Sequence, residues 1–288
     1  MTKKVVYFLL IAYSFSVLIG FVARYLKTES NNPNAVLICY AVLMFTPLLS
    51  VLIVDRFDFR KIFTEYQFNL NSINFKSLLK YIVLTAFILP FLIVLLVYFF
   101  GNHLEIENFG SVILSSSELP VELKKTLPSF LDVKYPILVW FPMMVISSIL
   151  AGVTINMVFA FGEEVAWRGF LNKHLKLKYF TKNIVIGTIW GAWHIPIILN
   201  GHNFGEHYLS GSLIMIVLCI SISFFLADSL KQSNTLITPA VLHGIINASA
   251  MTLSGLIIKI ENPVYGPFGV AFVLAILTIL LLQKFILK

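Results

Sequence analysis

Eight long apolar stretches, set apart by polar connections, constrain this chain more than any other feature. They run near residues 5–23, 35–54, 81–100, 136–162, 184–199, 211–229, 236–258 and 266–283. A helix rises about 1.5 Å per residue, so about 20 residues cross a hydrocarbon core roughly 30 Å thick. The fifth stretch is short for a span and would need its flanks. Charge is scarce to match: 12% of the 288 residues are charged and 58% are hydrophobic, where soluble domains carry about 25% and 45–50%. The pattern predicts an all-α, polytopic membrane protein of about eight transmembrane helices, built as a single domain over residues 1–288.

Lys3 and Lys4 ahead of the first run resemble the start of a signal peptide. That run is longer than a signal core, lacks a clear small-residue cleavage site and precedes seven more spans, so a retained first helix is expected. The basic residues give an orientation. With the N-terminus inside, cytoplasmic segments hold Lys3, Lys4, Arg56, Arg60, Lys61, Lys76, Lys80, Arg168, Lys173, Lys176, Lys178, Lys182, Lys231, Lys284 and Lys288. The other side holds Arg24, Lys27, Lys124, Lys125, Lys134 and Lys259. Fifteen against six predicts an even number of spans in the cell membrane, with both termini cytoplasmic. The formal net charge of +7 then reads as a topology signal and an attraction to the anionic surface of the lipid bilayer. No aromatic-basic module supports binding to nucleic acid.

Two longer connections carry a pattern. Residues 55–80 mix Phe57, Phe59, Ile62, Phe63, Tyr66 and Phe68 with Arg60 and Lys61, which suits an element lying in the membrane interface. Within 101–135, Leu119, Leu123, Leu127, Phe130 and Leu131 form a helical stripe that Ser117 could cap, with Pro120 in its first turn. Cys39 and Cys219 sit in apolar runs without CxxC or metal spacing, so two buried free thiols are expected. Pro196 follows His194 by two residues and Pro239 precedes His243 by four. Bending at either proline would open a wet pocket beside a histidine.

Three polar clusters interrupt the apolar helices: Glu163-Glu164-x-x-x-Arg168, Trp190-x-x-x-His194 and His243-x-x-x-Asn247. An ionisable residue inside a span costs roughly 2.5–3.5 kcal/mol and marks a functional site by default. Glu164 and Arg168 share one helix face and can pair, which leaves the neighbouring Glu163, turned about 100° away, to face a cavity as a general base. His243 and Asn247 stand one turn apart, as donors to a developing oxyanion would. The clusters are expected to meet in the cytoplasmic half of the membrane. His103, His174, His202 and His207 fall in connections, where surface roles are expected, and Asp228 should meet the interface. There is no HExxH, no GxGD and no rhomboid-like serine motif on a span.

Taken together, these clusters resemble the CAAX-protease and bacteriocin-processing (CPBP, or Abi) family of intramembrane proteases, with matches over roughly residues 136–258. Trp190 departs from the phenylalanine common in that family's second motif, a minor change for the chemistry. The resemblance implies an eight-helix fold with a cavity open to the cytoplasm, and an endopeptidase acting on a peptide or membrane-protein substrate. It gives Glu163 the role of base, with His194 helping to hold the attacking water. His243 and Asn247 would bind the oxyanion, while Glu164, Arg168 and Trp190 support the site. No cofactor is favoured. If a metal were used, zinc would be held by Glu163, His194 and His243, a His₂Glu set. The alternative is a non-catalytic membrane partner, such as a bacteriocin-immunity protein or a regulator of a membrane sensor kinase. A transporter would call for internal symmetry between the two halves, and none is evident.

Overall fold

The structure, a computed structural model, describes residues 2–30, 32–115, 118, 136–253 and 255–286. The stripe expected between Ser117 and Leu131 lies outside the described residues. The helices are α1 (Lys3–Thr28), α2 (Pro33–Val54), α3 (Arg60–Thr64), α4 (Phe75–His103), α5 (Pro136–Val153) and α6 (Ile155–His174). They continue as α7 (Tyr179–Trp193), α8 (Ile195–Ile198), α9 (Tyr208–Ser233), α10 (Ile237–Leu253) and α11 (Val270–Ile286). Two-residue strands β1 (Ser111–Val112) and β2 (Ile257–Ile258) pair antiparallel. The chain is all-α in class, as expected.

Polar caps start the apolar helices where the sequence turns greasy. Asn32 accepts from the backbone N–H of Ala35 ahead of α2, with Pro33 at its first position, and Asn74 accepts from Ser77 ahead of α4. Such caps satisfy donors that the first turn leaves without partners. Asn234 ends α9 in the left-handed conformation, at φ 56°, a role asparagine tolerates well.

By length and apolarity α1, α2, α4 and α9 can each cross a membrane, and α5 with α6, bent by 56°, adds a fifth if the pair is one span. The break is at Thr154, with φ −113° and ψ −98°. Three of the eight expected stretches therefore appear as shorter helices: α7, α10 and α11 have 15, 17 and 17 residues. The fifth stretch, expected to reach residue 199, breaks at His194 just before Pro196 and resumes as the single turn α8. Proline removes a backbone donor and clashes with the preceding turn, which accounts for that break.

Contacts between connections gather at two ends of the bundle. At one end Lys4 pairs with Asp55, Lys173 with Glu65 at 2.5 Å, and Lys80 reaches Gln232 at 3.4 Å. Tyr179 donates to Asp228 there at 2.6 Å. At the other end Lys27 donates to the Asn200 carbonyl at 2.8 Å, the Asn200 amide donates to Gly20, and β1 meets β2. The first is called the basic end below. Phe57, Phe59 and Phe63 are exposed there while Ile62 and Tyr66 are buried, the two-sided character of an interfacial element.

Glycine sets the closest helix approach. A Cβ on Gly244 of α10 would lie 2.5 Å from the Gly152 carbonyl oxygen, and one on Gly152 would lie 2.4 Å from Ile245 Cγ1. Helices in lipid approach through such small residues. Here the contact brings His243 beside the acidic pair of α6.

Candidate active site

Glu163 and Glu164 close the regular part of α6, and a π-helical stretch, Val165–Leu171, follows at once. Wider turns of this kind recur at functional sites. Both carboxylates and Arg168 are buried, at 2%, 0% and 3% exposure. The expected division between the acids is present. Glu164 Oε1 accepts from Arg168 Nη1 at 3.0 Å and from His243 Nδ1 at 2.8 Å. Arg168 also donates to Ser223 on α9 at 3.2 Å. Arg168 is thus a core residue and drops out of the cytoplasmic basic set in which it was counted. Pairing Glu164 with Arg168, and bonding Arg168 onward to Ser223, offsets part of the cost of burying these charges, although Glu164 Oε2 is buried without a partner among the described residues.

Glu163 faces the other way. Its Oε2 accepts from Trp190 Nε1 at 2.6 Å and from Trp167 Nε1 at 3.2 Å. Its other oxygen accepts no hydrogen bond from a described residue, and Glu163 lines a cavity of about 350 Å³. His194, His243 and Asn247 line the same cavity, together with Asn156 and His202. The structure therefore brings every sequence-predicted site residue into one cluster. Glu163, Trp190, His194, His243 and Asn247 stand on the cavity, with Glu164 and Arg168 behind it.

Trp190 ties the pieces together. Its indole holds Glu163, and its carbonyl oxygen lies 2.9 Å from His194 Nδ1. A carbonyl only accepts, so Nδ1 carries hydrogen and a neutral His194 keeps Nε2 as an acceptor. The Trp190 ring also takes the Arg168 guanidinium at 4.4 Å and meets the edge of His243 at 5.1 Å between centroids. Trp190 therefore gives Glu163 a hydrogen bond that phenylalanine, with no N–H, could not supply.

Sequence reasoning missed Trp167, Ser223 and His202. Trp167 lies four residues after Glu163, the helical spacing that would have flagged it. Ser223 carries no signal in an apolar helix. His202 was expected at the surface, yet it meets the Tyr40 ring edge-on at 4.6 Å between centroids and lines the cavity. The loop that returns it turns through positive φ at Gly201, Asn203 and Gly205. Cys39 and Cys219 are both free; Cys219 is buried beside the cavity and Cys39 is half-buried.

Glu163 Oε2 is taken by two indoles and each histidine commits Nδ1 elsewhere, so a metal would have to use the second Glu163 oxygen and the two Nε2 atoms. Among the described residues no three His, Cys, Asp or Glu side chains are grouped to hold a metal ion.

The cavity draws its walls from the part of the bundle away from the basic end. Its lining includes His202 and Asn203 from the loop after α8, Met251 near the end of α10 and Phe268 just ahead of α11. No residue of 55–74, 174–179 or 234–236, the connections at the basic end, contributes. Cytoplasmic termini and a cytoplasm-facing cavity, both expected from the sequence, are thereby set against each other.

Residues 138–249 match the model of the family described as type II CAAX prenyl endopeptidase Rce1-like. A relative named CAAX prenyl protease 2, from Methanococcus maripaludis, is 21% identical over 253 residues, covering 82% of this chain and 80% of that protein. No solved structure matches the chain. The family match spans all three polar clusters, and over those residues the chain is similar to the type II CAAX prenyl endopeptidases that the family describes.

Proposed function

We propose that this protein is an intramembrane endopeptidase that hydrolyses a peptide bond with water activated by Glu163. The observation that carries the reading is the asymmetry of the two acids. Glu164 holds Arg168 and His243 on Oε1 and is buried behind the cavity, with Oε2 unpartnered among the described residues, whereas Glu163 is held by two neutral indoles on one oxygen and lines the cavity.

In this mechanism water sits between Glu163 and Nε2 of His194. Glu163 takes a proton as the water oxygen attacks the carbonyl carbon, and the carbonyl oxygen becomes an oxyanion. Asn247 donates to that oxyanion through its amide; His243 gives its Nδ1–H to Glu164, so it can add a second bond from Nε2 only as the doubly protonated imidazolium. Protonated Glu163 then gives its proton to the leaving amine as the C–N bond breaks. General acid–base help of this kind is worth about 10²–10⁴ in rate. No step calls for a metal, so cleavage should persist in chelator. The substrate is a peptide or membrane-protein segment; the matching family's description supports endopeptidase chemistry, and the relative is by its name a CAAX prenyl protease.

The test is cleavage of a peptide library by purified wild type and Glu163→Gln, with and without chelator. Cleavage by wild type alone, unchanged by chelator, is expected. Equal cleavage by the variant would remove Glu163 from the mechanism, and loss in chelator would restore a metal.

A further inference from the structure

We infer that the cavity opens on the extracytoplasmic side of the membrane, so that its substrate is a peptide segment presented at the outer surface rather than a prenylated chain end in the cytosol. That the occupant is a substrate rests on the proteolytic reading above. The side from which it enters rests on charge and packing.

Among the described residues, the basic end carries most of the positive charge. Of the fifteen basic residues assigned to that side by sequence, Arg168 is inside the bundle and Lys288 lies outside the described residues. The remaining thirteen lie in the connections or helix ends at the basic end, whereas Arg24, Lys27 and Lys259 are the described basic residues at the other. Such a bias within a turn or two of short connections keeps that side in the cytoplasm, and acidic residues contribute little to the rule.

Access from the basic end is closed by packing. Below Glu163, Trp167 packs edge-on to Phe8 at 5.9 Å, Phe8 on Phe170 at 4.8 Å, and Phe170 near Tyr66 at 6.1 Å. All four are buried. Tyr66 in turn donates to Asp55, which also pairs with Lys4 and with Lys61 at 3.2 Å. An aromatic layer capped by an ion cluster thus separates the cavity from the basic surface. Toward the opposite end the cavity reaches His202 and Asn203, both partly exposed in the loop between α8 and α9. A peptide entering there meets Glu163 without crossing the aromatic layer.

The experiment labels single introduced cysteines with a membrane-impermeant maleimide, in spheroplasts expressing the full chain, with wild type as the background for Cys39 and Cys219. Glu206→Cys reports the loop at the far end, Asn203→Cys the cavity mouth and Lys231→Cys the basic end. Glu206 and Lys231 are exposed. Expected is labelling of Glu206→Cys and Asn203→Cys before permeabilisation, and of Lys231→Cys only after it. The reverse pattern would overturn the inference, as would a reactive Glu206→Cys beside an Asn203→Cys that labels only after permeabilisation. If Glu206→Cys fails to reach the membrane, Ser210→Cys, exposed in the first turn of α9, replaces it. Labelling needs no turnover, so the expected pattern in a chain that cleaves nothing would defeat the proteolytic reading and leave the sidedness intact.

Discussion

Trp190 gives its indole N–H to Glu163 at 2.6 Å, and the same residue's carbonyl oxygen fixes His194 at 2.9 Å. One side chain and its own backbone therefore set the acid and the imidazole relative to each other, across two helices. A hydrogen bond to a charged group contributes about 1.5–3 kcal/mol. Trp167 still holds Glu163 when Trp190 is lost, so Trp190→Phe should slow cleavage about tenfold, near 1.4 kcal/mol, with little change in melting temperature. Trp167→Phe combined with Trp190→Phe should cost more than the two single losses added, because they share one oxygen. Rate measurements on the four-member cycle check this.

The two adjacent acids should separate cleanly under substitution. Glu163→Gln removes the base and should lower the cleavage rate by about 10²–10⁴, leaving thermal unfolding in detergent near wild type. Glu164→Gln leaves Arg168 buried without its ionic partner, and should destabilise the protein by about 3–5 kcal/mol. Unfolding and cleavage measured on both variants distinguish a catalytic acid from a structural one.

Asp55 ties α2 to the start of α1 and to Tyr66. Burial alone would raise its pKa, but bonds to Lys4, Tyr66 and Lys61 outweigh burial and hold the carboxyl below its usual range. Because the folded value lies below the unfolded one, near 3.9, this stabilisation is complete above that value. It is lost as pH falls through the lower folded value. Asp55→Asn should therefore melt earlier than wild type at pH 7, by about 1–3 kcal/mol, and the two should converge in strong acid.

Gly244 tests whether close approach of α10 positions His243. An added methyl would meet the Gly152 carbonyl at 2.5 Å and the Met157 nitrogen at 2.8 Å, both backbone atoms that cannot step aside. Gly244→Ala should cost about 1–3 kcal/mol and lower the cleavage rate as well, read from unfolding and turnover on one preparation.

Much of the site was legible in the sequence because charge inside an apolar run has few innocent explanations. The four-residue spacing of Glu164 and Arg168 gave their pairing directly, and helix direction brought His243 to the same depth. What periodicity could not supply was the break at His194, the 56° bend at Thr154 and the returning loop that carries His202 to the cavity. Each depends on a backbone departure from regular helix, to which a hydropathy pattern is blind. The aromatic layer that closes one end of the cavity was out of reach for a related reason: it is built from α1, α6 and the 55–74 connection together, and no single segment reveals it.

The central claim is that Glu163 performs proteolysis in this membrane cavity. Comparing newly formed peptide termini in native cells carrying either wild type or Glu163→Gln, at matched membrane levels, tests it most directly. The account predicts a set of termini present with wild type and absent with the variant; identical termini in both would contradict it.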